Sequence, residues 1–258
     1  MVELFSDIFA GRDNALVRLD PRAKLSVAVA GILAALFSGG ATLPIAVFVV
    51  CLSGLFAVRI PARWVLARLA GPAVIASVLV LLQSFLVGAT PLFGVSVAGV
   101  RFTAMAEGAR HGLLLGARVL GCSSIVLLLG SVTPAHRVFH VLRWAGVPGG
   151  WVEIAMLTYR YTFVLLDQAA EVSAAQRVRL GYSGPGRSLS SMGILGGTVL
   201  LRSVDQASRT AEAMSARGYS GQIGFGPMGP MRRADRLVAG VAPPILLAAY
   251  LLAEGMLP

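Results

Sequence analysis

Apolar positions along the chain fall into about five runs, over residues 25–37, 42–58, 72–87, 113–129 and 237–252. Between the fourth and fifth runs lies a long stretch, 151–219, in which apolar and polar positions alternate at three- and four-residue steps. That period predicts two long helices, 151–180 and 189–217, separated by Gly181-Tyr182-Ser183-Gly184-Pro185-Gly186. The apolar runs are shorter than the about 20 residues needed to cross a bilayer upright, so their helices must borrow flanking residues. The pattern predicts an all-α integral membrane protein of about five transmembrane helices with long cytoplasmic helices. The expected division is 1–131 for spans one to four, 132–235 for the cytoplasmic helical region and 236–258 for the last span.

The junctions carry local signals. In Leu19-Asp20-Pro21-Arg22-Ala23-Lys24-Leu25, Asp20 is suited to cap a helix and Pro21 to open it. The connection Arg59-Ile60-Pro61-Ala62-Arg63-Trp64-Val65-Leu66-Ala67-Arg68 is basic around a tryptophan, as in an amphipathic segment on the membrane face. Residues 92–110 are ambiguous, with an extra membrane helix as one option. Thr133-Pro134 is expected to cap a short surface helix bearing His136, Arg137 and Trp144, and 221–230 reads as a loop. In the second long helix, Arg202, Asp205, Arg209 and Glu212 are spaced for an ion-pair ladder, while Ile194, Leu201, Val204, Ser208 and Ala211 offer a face for packing on the first.

Both long helices end alike, on Arg177-Val178-Arg179-Leu180-Gly181-Tyr182 and on Ser215-Ala216-Arg217-Gly218-Tyr219. Glycine beyond the last turn predicts a left-handed cap, and arginine there complements the negative helix end. Guanidinium is a permanently charged fork matched to carboxylate geometry, so two such tips are suited to acidic grooves on another protein.

Composition supports the membrane assignment. Of 258 residues, 56% are hydrophobic and only 13% charged, against about 25% charged in soluble domains. The net charge of +10 would suggest nucleic acid in a soluble chain, but the basic residues cluster between apolar runs, the pattern that orients membrane proteins. All 22 basic residues except Arg101, Arg110 and Arg118 then fall on the inner side, with the N-terminus cytoplasmic and the C-terminus outside. Arg118 falls within the fourth run, where it is expected to face protein, a polar partner, an interface or a helix-end carbonyl. The N-terminus lacks a basic leader to an apolar core, so no cleavable signal peptide is expected.

Candidate chemistry is sparse. Cys51 and Cys122 lie in apolar runs and suggest neither a disulfide framework nor a zinc site. His136 and His140 sit one turn apart, but a metal site needs further ligands, and His111 is distant. The acids are scattered, no glycine-rich nucleotide loop is seen, and no cofactor or nucleic-acid partner is expected.

Three stretches, Leu19 to Leu25, Leu157-Thr158-Tyr159-Arg160-Tyr161-Thr162-Phe163-Val164-Leu165-Leu166-Asp167-Gln168-Ala169, and Ala213-Met214-Ser215-Ala216-Arg217-Gly218-Tyr219, together resemble one family. It is the transmembrane coupling component of energy-coupling factor transporters, in the cobalt-type, CbiQ-like branch. The resemblance implies a non-enzymatic, multi-pass subunit of a bacterial inner-membrane importer of transition-metal ions, cobalt first, with nickel or a vitamin as alternatives. An ATPase-independent secondary transporter is the competing class. The resemblance implies two ATP-binding ATPase subunits as partners, a substrate-binding membrane subunit, and a small accessory membrane subunit as an option. It also implies that two Ala-Arg-Gly motifs on long coupling helices dock on the ATPases. Ala216, Arg217 and Gly218 match the second motif intact. Val178, Arg179 and Leu180 match the first only through the arginine, and Arg177 competes for that role.

Overall fold

In the computed structural model, the described residues are 19–87, 90–97, 100–221, 229 and 231–255. Over these the chain is helical apart from one short hairpin: α1 (Pro21–Phe37), α2 (Thr42–Ala57), α3 (Ala62–Leu86), β1 (Pro91–Val97), β2 (Val100–Met105), α4 (Ala106–Val132), α5 (Ala135–Trp144), α6 (Gly149–Val178), α7 (Pro185–Ala216) and α8 (Arg233–Gly255). Two compact units emerge. One contains α1 to α4, the hairpin and α8; the other contains the end of α5 with α6 and α7.

In the first unit, α1 starts as its sequence predicts: the Asp20 carboxylate accepts from the Arg22 amide at 2.9 Å, and Pro21 opens the helix. The third helix differs from expectation. The basic connection is no separate surface segment, because residues from Ala62 onward are continuous with the apolar run through to Leu86, with Pro72 inside the helix. Arg68 instead stacks on Trp64, its guanidinium carbon 4.2 Å from the ring centre, within one helix. Residues 92–110 form no extra helix either. They divide between the antiparallel hairpin, in which Val95 pairs with Phe102, and the first turn of α4. Thr133 gives no side-chain cap to α5, since its buried hydroxyl has no hydrogen-bond partner; the Pro134 carbonyl accepts from Arg137 at 3.0 Å.

α3 and α4 are long and apolar enough to cross a bilayer. They pack through small residues: Gly108, Gly112 and Gly116 recur every fourth position on α4, and a Cβ at Gly112 would lie 2.7 Å from the Val80 Cα. This is how membrane helices associate, since lipid is as apolar as leucine and contact energy must come from close backbone approach. Side chains shielded from the surroundings form a modest core of Leu55, Val58, Ile60, Val65, Leu69 and Val132. Many large apolar groups, Leu66, Leu81 and Leu86 among them, stay exposed, as expected where lipid replaces water. The polypeptide is an all-α membrane protein in its dominant architecture, with one hairpin added.

The second unit is an antiparallel pair, α6 of 30 residues and α7 of 32. On α6, Met156, Leu157, Tyr161, Val164 and Leu165 are half-buried, as the period predicts. On α7 the predicted packing face is wrong: Ile194, Leu201, Val204, Ser208 and Ala211 are exposed. The shielded face is instead Ser191, Leu195, Val199, Gln206, Thr210 and Met214. It is a mixed face, because the two helices are joined by hydrogen bonds as well as by apolar contact. The Tyr161 hydroxyl lies 2.9 Å from the Thr210 hydroxyl, and the Gln176 amide donates to the Ser191 carbonyl at 2.9 Å. The ion-pair ladder does not form as drawn; Arg209 turns to Gln206 at 3.4 Å. Exposed ion pairs on one helix are worth only about 0.3–0.5 kcal/mol, too little to hold long side chains in place.

Candidate functional site

The two helix tips have the same backbone construction. At the end of α6, the Leu180 amide donates to the Arg177 carbonyl at 3.1 Å and the Gly181 amide to the Gln176 carbonyl at 2.8 Å. At the end of α7, the Gly218 amide donates to Ser215 at 3.0 Å and the Tyr219 amide to Met214, also at 3.0 Å. Each is a Schellman closure, which satisfies carbonyls that a helix end leaves unpaired. Aligning the two closures puts Arg179 where Arg217 is, both at the C-cap position. Arg177 aligns with Ser215, two residues before the C-cap. The geometric counterpart of Arg217 is therefore Arg179.

The left-handed residue differs between tips. At the second it is Gly218, with φ +77°, as expected. At the first it is Leu180, with φ 57°, and not Gly181 as predicted. Gly181 serves a different need. A Cβ there would meet the Ser191 hydroxyl oxygen at 2.7 Å and the Gln176 carbonyl at 2.9 Å. The first turn pair is drawn together by the Ser191 hydroxyl donating to the Gly181 carbonyl at 2.9 Å and by Tyr182 donating to the Gln176 side chain at 2.8 Å. Close approach claims the glycine, and leucine is left in the strained conformation, at a cost of about 1–2 kcal/mol.

The side chains presented also differ. Val178 is 85% exposed and Leu180 66%, so Arg179 sits between two bare aliphatic groups. Ala216 and Gly218 leave Arg217 flanked by small residues, all exposed. Arg217 borders an open groove of about 710 Å³ between α6 and α7, which Arg160, Arg209, Tyr161 and Gln206 also line. Three arginines thus line one concavity, a surface suited to carboxylates.

Behind Arg217, the Tyr219 hydroxyl donates to the buried Glu153 carboxylate at 3.1 Å. Partial desolvation, then the bond to Glu153 and its charge, raise the Tyr219 phenol above its usual pKa, which keeps it a donor. Glu153, Tyr219, Arg160 and Arg209 were not identifiable as site residues from sequence. Glu153 and Tyr219 stand 66 positions apart and meet only because α6 and α7 run antiparallel.

Comparison with known proteins identifies the lineage. One relative, an uncharacterized protein of Methanocaldococcus jannaschii, is 28% identical over 81% of this chain and 79% of its own length. A cobalt transport protein CbiQ of Rhodobacter capsulatus is 36% identical over 50% of this chain, an alignment that spans 51% of that protein. A protein of Methanocorpusculum labreanum, described as a fused cobalt transport protein CbiMQ, is 29% identical over 42% of this chain and 18% of its own length. The profile of the CbiQ family, described as Cobalt transport protein, matches residues 12–225. With that match running through α1 to α7 and both arginine-bearing tips, the chain belongs to the CbiQ cobalt transport protein family.

Proposed function

We propose that this chain is the transmembrane coupling subunit of an ATP-driven energy-coupling factor importer for transition-metal ions, cobalt first. It sits in the cell membrane with its N-terminus and the α6–α7 pair on the cytoplasmic side. Arg179 and Arg217 dock in acidic grooves of two ATPase subunits, with Val178, Leu180, Ala216 and Gly218 as their immediate contacts. A substrate-binding membrane subunit receives the motion and carries the metal selectivity. The fused CbiMQ relative supports a membrane partner, since its name describes a CbiQ component joined to another on one chain.

The observation that carries this reading is the pair of matched closures, each with an arginine at its C-cap. A helix is a good lever because its backbone hydrogen bonds are internal and it resists bending. Two ATPases closing on ATP would move two rigid tips, and the α6–α7 hydrogen bonds would carry the displacement along the pair. A charged hydrogen bond to a carboxylate at each tip contributes about 1.5–3 kcal/mol.

The test is co-expression with the ATPases and membrane partner encoded beside this chain, comparing wild type, Arg179→Ala and Arg217→Ala. The expected result is a complex that still assembles but loses cobalt-stimulated ATP hydrolysis and uptake. Full activity in both variants would sink the docking roles. Metal uptake by vesicles containing this chain without any ATPase would favour the secondary transporter.

A further inference from the structure

Arg118 lies near the middle of α4. Its guanidinium donates to the Ser38 carbonyl at 2.6 Å, at the residue that ends α1, while its Nε is enclosed without a hydrogen-bond partner. Ser38 is 1% exposed, and its hydroxyl donates to the Gly40 carbonyl at 2.9 Å. The polar turn 38–41 between α1 and α2 is therefore moored halfway along α4. The register of α2 agrees, since the Pro44 carbonyl faces Gly121.

This makes part of the membrane unit thin. The Lys24 ammonium donates to the Val132 carbonyl at 3.3 Å, which levels the start of α1 with the end of α4. From Lys24 to Ser38, and from Val132 to Arg118, each helix advances fourteen residues, or about 21 Å. The hydrocarbon layer is about 30 Å thick. α4 continues past the turn to Ala106, about 18 Å further, and beyond it α3 and α4 expose Leu81, Leu82, Phe85, Leu86 and Leu113. Those side chains belong in lipid. With Lys24 and Val132 at one edge of that layer, the turn lies about 9 Å beneath its opposite boundary. Irregular backbone at that depth is tolerated only where protein covers it or water reaches it, and a guanidinium there needs a polar or acidic counterpart.

We infer that the notch over turn 38–41 receives a transmembrane segment of the partner membrane subunit, which sets a carboxylate against Arg118. The existence of that subunit rests on the proposed function; the notch and its charge do not. Charge complementarity selects the occupant. A phospholipid phosphate lies beyond the hydrocarbon boundary, more than about 9 Å above the turn, while the guanidinium is held on the Ser38 carbonyl. Exposed leucine and phenylalanine beyond the turn make a purely aqueous cleft unfavourable.

The test uses the complete complex in membranes. A photo-crosslinking p-benzoylphenylalanine replaces Gly39 or, separately, Leu113, with Leu66 near the opposite end of α3 as the lipid-facing control. The expected result is a crosslink from positions 39 and 113 to the membrane subunit, with none from position 66. Arg118→Gln should lower copurification of that subunit by about 30-fold or more, as loss of one member of a buried charge pair does, with ATPase copurification unchanged. Arg118→Lys should restore it in part. Crosslinks from 39 and 113 to lipid alone, or an Arg118→Gln complex with full subunit content, overturn the inference. Should Arg118→Gln fail to accumulate, the crosslinks in the arginine-containing chain decide by themselves. Absence of the membrane subunit from the wild-type complex overturns the proposed function as well, whereas a wild-type complex without crosslinks overturns only the notch.

Discussion

The tips of α6 and α7 close with the same hydrogen bonds yet use opposite chemistry to do so. The α7 tip puts glycine at the left-handed position, with nothing within 4 Å of where its Cβ would be. The α6 tip puts Leu180 there and reserves Gly181 for contact with Ser191 and Gln176. One tip is relaxed and loosely surrounded; the other is strained and locked by its neighbours. A shared backbone motif thus does not imply shared sequence, and the first tip departs from Ala-Arg-Gly because packing competes for the glycine.

The largest expected effect tests the alignment of the tips. Arg179→Ala and Arg217→Ala should each lower cobalt-stimulated ATP hydrolysis of the assembled complex by about 10- to 150-fold, the equivalent of a 1.5–3 kcal/mol contact. Arg177→Ala should change it by less than about threefold, since exposed charges away from a contact are worth under 1 kcal/mol. An Arg177→Ala loss equal to that of Arg179→Ala would break the correspondence between closures.

Next comes the division of labour between glycines. Gly181→Ala should destabilise the α6–α7 pair by about 1–3 kcal/mol through overpacking. Gly218→Ala has space and meets only the left-handed penalty, about 1–2 kcal/mol. Protease cleavage within 179–184, followed in detergent-solubilised protein, should rise in the first variant alone. Similar cleavage in both would remove the distinction.

Tyr219→Phe deletes the hydroxyl that donates to Glu153 and should lower the thermal midpoint, because it withdraws a donor from a buried carboxylate. The smallest effect has the opposite sign. Leu180→Gly relieves the strained residue and should stabilise the isolated chain by up to about 1 kcal/mol, offset in part by the greater freedom of glycine when unfolded. A lower melting temperature for Leu180→Gly would mean that its exposed side chain already contributes packing.

Much of the architecture was legible because its signals are local. The Asp20-Pro21 start, the apolar runs and the two long helices follow from capping, lipid compatibility and helical period. The packing face of α7 was not legible. Apolar period marks a face that avoids water but does not say what covers it, and here Leu201 and Val204 stay exposed while Ser191 and Thr210 meet α6. The extent of α3 was misjudged for a related reason, since charges near Arg63 and Arg68 end an apolar run without ending a helix.

By itself, the sequence determined that this is a helical membrane protein with two long helices ending in arginine, because span length, charge placement and end signals act over a few residues. Tertiary structure alone decided that Arg179 is the counterpart of Arg217, that Glu153 holds Tyr219 and that Arg118 is moored to Ser38. Those choices depend on which distant backbones approach closely enough for hydrogen bonds and steric exclusion to act.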